Sequence, residues 1–227
     1  MALTIDADAH VIEGVGLASE ALSRWPDQVK LARTSDGTPV FTIEGRVYPE
    51  SHGPGAGCPP QHGLSEEADD PHSPAGIVAD ADREGIDQTV LFPSLALGVP
   101  GYQDAAFAVG FARLYNRFIG DYCKKGGGRL FAAAVVPLQD VDASVDVLHE
   151  AKEAGHVCAV LPPALRWKNL DHPDFDRLYA AAADLDLPLG IHGAPGVHLP
   201  PIGVDRFTNY IQVHCISFPF DQMTAMT

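Results

Sequence analysis

Two short segments hold the residues best able to do chemistry: Asp8-Ala9-His10 near the amino terminus and Ile191-His192-Gly193 much later in the chain. Each closes an apolar stretch that reads as a buried strand. Each would therefore deliver a metal-binding side chain to the same end of a parallel barrel, since carboxylate and imidazole are both ordinary ligands of divalent ions. A metal-dependent enzyme is the chemistry this pattern suggests. The plainer alternatives are that Asp8 caps a turn and that His10 is a satisfied core histidine. His214 precedes the aromatic-rich Ser217-Phe218-Pro219-Phe220 segment. An imidazole there could act as an acid–base catalyst near neutral pH, or could pack beside Phe218 and Phe220.

The elements that must position these residues follow from the alternation of apolar runs with helix-period segments, the mark of βα units and a parallel sheet. Five strands are predicted, at Leu3 to Ala9, Gln88 to Phe92, Leu130 to Val136, Val157 to Leu161 and Leu187 to Ile191. Helices are predicted at Asp104 to Tyr122, Ala143 to Ala154 and Phe175 to Leu185. Phe107, Phe111, Leu114, Tyr115 and Phe118 mark one apolar face of the first. Gly155 is a candidate C-cap for the second, and a further helix is expected after Pro219. Asp80, Asp82, Arg83 and Glu84 precede the second strand and read as solvated or ion-paired. Asn116 and Arg117 read as helix-packing or surface residues.

Residues 36 to 76 differ in kind. Thr38 to Tyr48 predicts a β-hairpin turning at Glu44-Gly45, and the stretch after it is crowded with Gly, Pro and His. The segment is read as an insertion, either a lid over the barrel mouth or a surface excursion. His52, His62 and His72 within it are spaced irregularly and read as solvent-exposed.

Composition excludes several classes of partner. The 227 residues carry 15 Lys+Arg against 30 Asp+Glu, a formal charge of −15, so a nucleic acid or an anionic membrane surface would be repelled. A small-molecule substrate is the expected partner. The hydrophobic content of 46% suits one sizeable core. Cys58, Cys123, Cys158 and Cys215 form no CxxC pair and are expected to be reduced thiols in a cytoplasmic protein. Asp6 and Asp8 interrupt any signal-peptide core, and no run approaches the ~20 apolar residues of a membrane span.

In order and spacing, IDADAHVIE (5–13), DADREGIDQTVLFPS (80–94), YNRFIGDYC (115–123), RLFAAAVVPLQD (129–140), LPLGIHG (187–193) and HCISFPF (214–220) together resemble the amidohydrolase-related family. That family includes aminocarboxymuconate-semialdehyde decarboxylase and the hydroxybenzoate decarboxylases. The resemblance implies a (β/α)8 TIM-type barrel of the metal-dependent hydrolase superfamily, here truncated after its fifth strand. It implies a divalent metal ion (Zn, Mn or Fe) held by Asp8 and His10 on the first strand and His192 on the fifth. Residues two apart on a strand share a face, as chelation requires. Many members have His-x-His where this chain has Asp8-Ala9-His10, and a carboxylate there hardens the site. Glu13 corresponds to a glutamate often found just after that motif, and could reach the metal, a second metal or only a backbone amide. The family's remaining aspartate ligand belongs to the eighth strand, beyond residue 227.

The implied activity is hydrolysis by a metal-activated water. The alternatives are nonoxidative decarboxylation of an aromatic or unsaturated carboxylic acid, metal-dependent oxygenation, or service as a noncatalytic partner subunit. Five strands would leave two open edges, so a homo-oligomer, or completion by a further polypeptide segment, is also expected.

Overall fold

The computed structural model describes residues 2–33, 37, 39–48, 72–163, 165, 168–193, 202, 203 and 206–227. In chain order the strands and α-helices are β1 (Ile5–His10), α1 (Val15–Arg24), β2 (Val29–Arg33), β3 (Pro39–Ile43), β4 (Arg46–Tyr48), α2 (Pro74–Glu84), β5 (Gln88–Phe92), α3 (Ala105–Lys124), β6 (Leu130–Val135), α4 (Val141–Glu153), β7 (Cys158–Leu161), α5 (Asp176–Asp184), β8 (Leu189–Ile191), α6 (Tyr210–Gln212) and α7 (Phe218–Ala225). A 3₁₀ segment, Ala96–Gly101, follows β5, and a π turn, Val213–Ser217, joins α6 to α7.

The five strands expected from the sequence form one sheet in the order β1-β5-β6-β7-β8, parallel throughout. Helices cover its outer face, so the central strands need no polar side and read as apolar runs. In β6, Ala132, Ala133, Ala134 and Val135 are all buried. The helix boundaries are set by local chemistry. Asp104 accepts a hydrogen bond from the Phe107 amide at 3.0 Å to start α3, and Asp140 does the same for Ala143 at the start of α4. Gly155, at φ 88°, takes the left-handed conformation just past α4, as its sequence position suggests.

On α3, Phe107, Phe111, Leu114 and Tyr115 are buried and Phe118 partly so. Asn116 is buried on the same helix. Its amide donates to the Val135 carbonyl at 3.0 Å and its Oδ1 accepts from the Val135 N–H at 2.8 Å, which fixes α3 to the carboxyl end of β6. The packing reading of Asn116 is thus the one observed. At the amino-terminal end of the sheet, Asp80 pairs with Arg83 and Asp82 with Arg129, so of the solvated and ion-paired states expected there these residues take the second.

The expected hairpin is also present. Strands β2, β3 and β4 form a small antiparallel sheet, and the β3–β4 turn is Glu44-Gly45 with both φ angles positive, at 50° and 79°. The Glu44 carboxylate accepts from the amides of Gln103 and Asp104 at 2.7 Å each, tying the turn to the start of α3. Residues 49–71 lie outside the described residues, and with them His52, His62, Cys58 and most of the segment read as a lid.

Three helices were not foreseen, the single turn α6 among them. Helix α1 begins at Gly14, which offers no capping side chain, and α2 begins at Ser73-Pro74, inside the stretch read as an insertion. Among the described residues no helix is long and apolar enough to cross a membrane.

Candidate metal centre

The sheet is curled rather than flat. A flat five-stranded sheet would hold its edge strands about 19 Å apart at the ordinary strand spacing. Yet the rings of His10, ending edge strand β1, and His192, just past edge strand β8, lie edge to face with centroids 4.9 Å apart. Both side chains reach inward across the mouth of a half-barrel, at the carboxyl ends of its strands. That is the end at which barrel enzymes place their sites.

A bulge aims the first of these residues. Along the β1–β5 ladder, Asp6 pairs with Thr89 and Ala9 with Leu91, so one extra residue is accommodated at Ala7-Asp8. The Asp6 carboxylate accepts from the Asp8 amide at 3.1 Å and closes this irregularity on itself. Bulges commonly re-aim side chains beside active sites. Here the bulge carries Asp8 to within 3.6 Å (Oδ1 to Nε2) of His192.

Backbone carbonyls set the tautomers of both histidines. His10 Nδ1 lies 2.8 Å from the Pro93 carbonyl, and His192 Nδ1 lies 2.6 Å from the Gly193 carbonyl. A carbonyl can only accept, so each Nδ1 carries a proton, and in the neutral ring each Nε2 keeps its lone pair. Such an outward hydrogen bond is the usual support of a metal-binding histidine. One ligand atom from each of Asp8, His10 and His192 lies within 4.8 Å of the other two. Ligands of a single ion at bonds of 2.0–2.2 Å stand about 3–4.4 Å apart, so an adjustment of under about 1 Å would bring all three onto one ion. Two neutral imidazoles and one carboxylate suit a divalent cation of the zinc, manganese or iron type.

The structure brings together three of the four residues expected as ligands. Glu13 is elsewhere: its buried carboxylate accepts from the amides of Ser94, Leu95 and Ala96 at 3.1, 2.9 and 2.9 Å. Burial pushes its pKa up, against the pull of these amides. Of the readings left open for Glu13, this placement matches the backbone-amide one. The side chain of His214 lies outside the described ones.

Three further contributors were not singled out from the sequence. Phe92 stacks on His192 at 5.7 Å and tilts against His10 at 6.4 Å. Pro93 supplies the carbonyl that orients His10, and Asp6 closes the bulge. Only Asp6 left a trace, as an aspartate two residues before another in a turn-forming spacing. A cavity of about 580 Å³ opens over the triad, lined also by Gly190, Gly193, Phe218 and Gln222. Gly190 keeps the Phe92 ring in place, because a Cβ there would stand 3.2 Å from it.

The amidohydrolase family profile matches residues 5–223. The chain belongs to the amidohydrolase family. No curated protein matches it. Among solved structures, the Metarhizium anisopliae IDCase in its apo form superposes with a TM-score of 0.69 at 18% identity, over 99% of this chain and 59% of its own. The 5-carboxyvanillate decarboxylase of Novosphingobium aromaticivorans, solved with bound manganese and 3-methoxy-4-hydroxy-5-nitrobenzoic acid, gives 0.59 at 22% identity, over 93% of this chain and 58% of its own. The 2,6-dihydroxybenzoate decarboxylase from Rhizobium gives 0.55 at 19%, over 85% of this chain and 50% of its own. At such identities these likenesses establish the barrel fold alone, and the amidohydrolase chain spans 50–59% of the length of these three relatives.

Proposed function

We propose that this amidohydrolase chain carries the metal-binding half of an enzyme that decarboxylates a small aromatic acid without an oxidant. Asp8, His10 and His192 would hold one divalent ion. The observation that carries the reading is one ring nitrogen from each of two imidazoles and one carboxylate oxygen gathered within 4.8 Å of one another beneath a cavity with aromatic walls. When bound, the ion would supply Lewis acidity toward a substrate carboxylate and an adjacent oxygen.

The chain's own residues do the rest. The carbonyls of Pro93 and Gly193 hold the two imidazoles in the metal-accepting tautomer, and Asp8 adds the negative charge that favours a cation. Phe92 and Phe218 offer apolar faces at the edge of the cavity, suited to the flat ring of an aromatic acid. The cavity volume falls in the ordinary range for small-molecule sites. The proton that replaces CO2 on the ring carbon is assigned to His214 on its sequence position. Solved relatives with dihydroxybenzoate and carboxyvanillate substrates support this choice of reaction. The family match itself favours a second reading, hydrolysis by a metal-activated water.

Elemental analysis of the purified protein, followed by incubation with manganese and a panel of hydroxybenzoates, tests the proposal. One equivalent of metal and release of CO2 with formation of the matching phenol are expected. Turnover of esters or amides without CO2 release would transfer the assignment to hydrolysis, and a protein that takes up no divalent ion would overturn both.

A further inference from the structure

The Glu13 side chain touches none of the three candidate ligands, yet it grips the segment on which two of them rest. That segment is short. Phe92 stacks on His192, the Pro93 carbonyl accepts a hydrogen bond from His10 Nδ1–H, and residues 94–96 donate all three of their amides to Glu13. Ala96 and Leu97 then line, with His192 itself, a void of only about 10 Å³, so the 3₁₀ segment packs closely behind that imidazole. Glu13 is also only three residues past His10 in sequence. The carboxylate thus ties the chain leaving β1 to the chain leaving β5, just outside the bond between His10 and Pro93.

A buried carboxylate is an expensive way to satisfy amides, because its desolvation opposes the hydrogen bonds it accepts. Neutral Ser, Thr and Asn can cap such amides as well as the exposed Asp104 and Asp140 do. What a carboxylate adds is three charge-assisted bonds from two oxygens, which fix the position of the loop more tightly than one hydroxyl or amide can. We infer that Glu13 is a positioning residue for the metal centre, acting through the 92–96 segment to hold His10 in its Nδ1–H tautomer and Phe92 against His192. This rests on the metal-binding reading of the triad.

The test uses the whole chain and two readouts. The first is the ring-nitrogen NMR shifts of His10 in metal-free protein. The second is Mn²⁺ affinity by calorimetry. In Glu13→Gln, one amide of the loop faces an NH2 group instead of an oxygen. The His10 ring is then expected to lose its single tautomer, and Mn²⁺ affinity to fall about 10–100-fold, as for other residues that orient metal-binding histidines. Leu148→Ala serves as the control. Leu148 is buried in the separate core cluster beneath α4, so this variant loses stability without reaching the loop. It is expected to leave both readouts unchanged.

Unchanged His10 shifts and Mn²⁺ affinity in Glu13→Gln would overturn the inference, as would equal losses in Leu148→Ala. Should Glu13→Gln fail to fold, Ser94→Pro removes one of the three donors from the loop side while keeping Glu13. A smaller change of the His10 shifts in the same direction is then expected, and none would overturn the inference. A wild-type protein that binds no Mn²⁺ would defeat the metal reading. The His10 shifts in metal-free protein would still decide the role of Glu13.

Discussion

The Asp8 carboxylate is 73% exposed although it ends up beside a half-buried imidazole. Its contribution to the stability of the metal-free fold is accordingly small, whereas the proposed metal centre gives it a large contribution to cation binding. Asp8→Asn is therefore expected to change the free energy of unfolding by less than roughly 0.5 kcal/mol, as for other exposed substitutions. The same change should strongly weaken Mn²⁺ binding. Paired urea titrations and calorimetry check this, and a substantial loss of stability with intact metal affinity would contradict it. The residue types at this site were legible because metal ligands belong to few side chains and stand at strand ends. Phe92 and Pro93 were not, because an aromatic ring and a carbonyl oxygen acquire their role only from the neighbour that the fold supplies.

Packing between elements shows where propensity and tertiary fit pull apart. Gly110 lies within α3, where alanine would ordinarily be preferred by about 1 kcal/mol. A Cβ there would stand 2.6 Å from Cζ2 of Trp25, the residue that ends α1 and packs edge to face on Phe107. Overpacking costs roughly 1–3 kcal/mol, so Gly110→Ala should destabilise the protein by up to about 2 kcal/mol in urea unfolding. Stabilisation would mean that the α1–α3 contact yields.

His156, just past α4, gives a second test. Its Nδ1 lies 3.1 Å from the Ala151 carbonyl, and its Nε2 is buried without a partner in the described structure. Burial, helped slightly by nearby Lys124, pushes its pKa below the ordinary histidine value. The unfolded chain therefore takes up a proton at a higher pH than the folded one does. The stability from neutral His156 is fully present above about pH 6.5 and is lost as the pH falls from there through its lower folded value. His156→Gln should flatten that part of the stability–pH curve, followed by urea midpoints between pH 7.5 and 5. An unchanged slope would assign it to other groups. The hairpin could be read from its turn residues, α3 from its apolar face and α4 from the glycine past its end. Helix α1 could not, because its start at Gly14 has no side chain to announce it.

For the whole molecule, the sheet formed by the described residues has two edges, at β1 and β8. Leu3 and Ile5 are exposed along the first, and Phe220 and Met223 on the last helix, α7, and Met226 just past it are exposed as well. Unpaired strand edges flanked by apolar side chains promote association. The 227-residue chain by itself should therefore scatter light as a dimer or larger species, in a concentration-dependent way. A monodisperse species of 24.1 kDa at high concentration would contradict this. The parallel order of five strands followed from the βα alternation. The curl that brings their ends together did not, because local pattern carries no information about how far a sheet bends.

That curl has a kinetic meaning. His10 and His192 meet across the whole described sheet, so their contact closes a loop of most of the chain. Each intervening strand must already be docked in parallel register, a non-local and hence slow event. Helices and the β3–β4 hairpin can form early and alone, whereas the place for the ion exists only when the last strand has found its neighbour. On the proposed metal reading, competence to hold a cation is therefore the final property this chain acquires as it folds, and the first it surrenders when either edge of the sheet loosens.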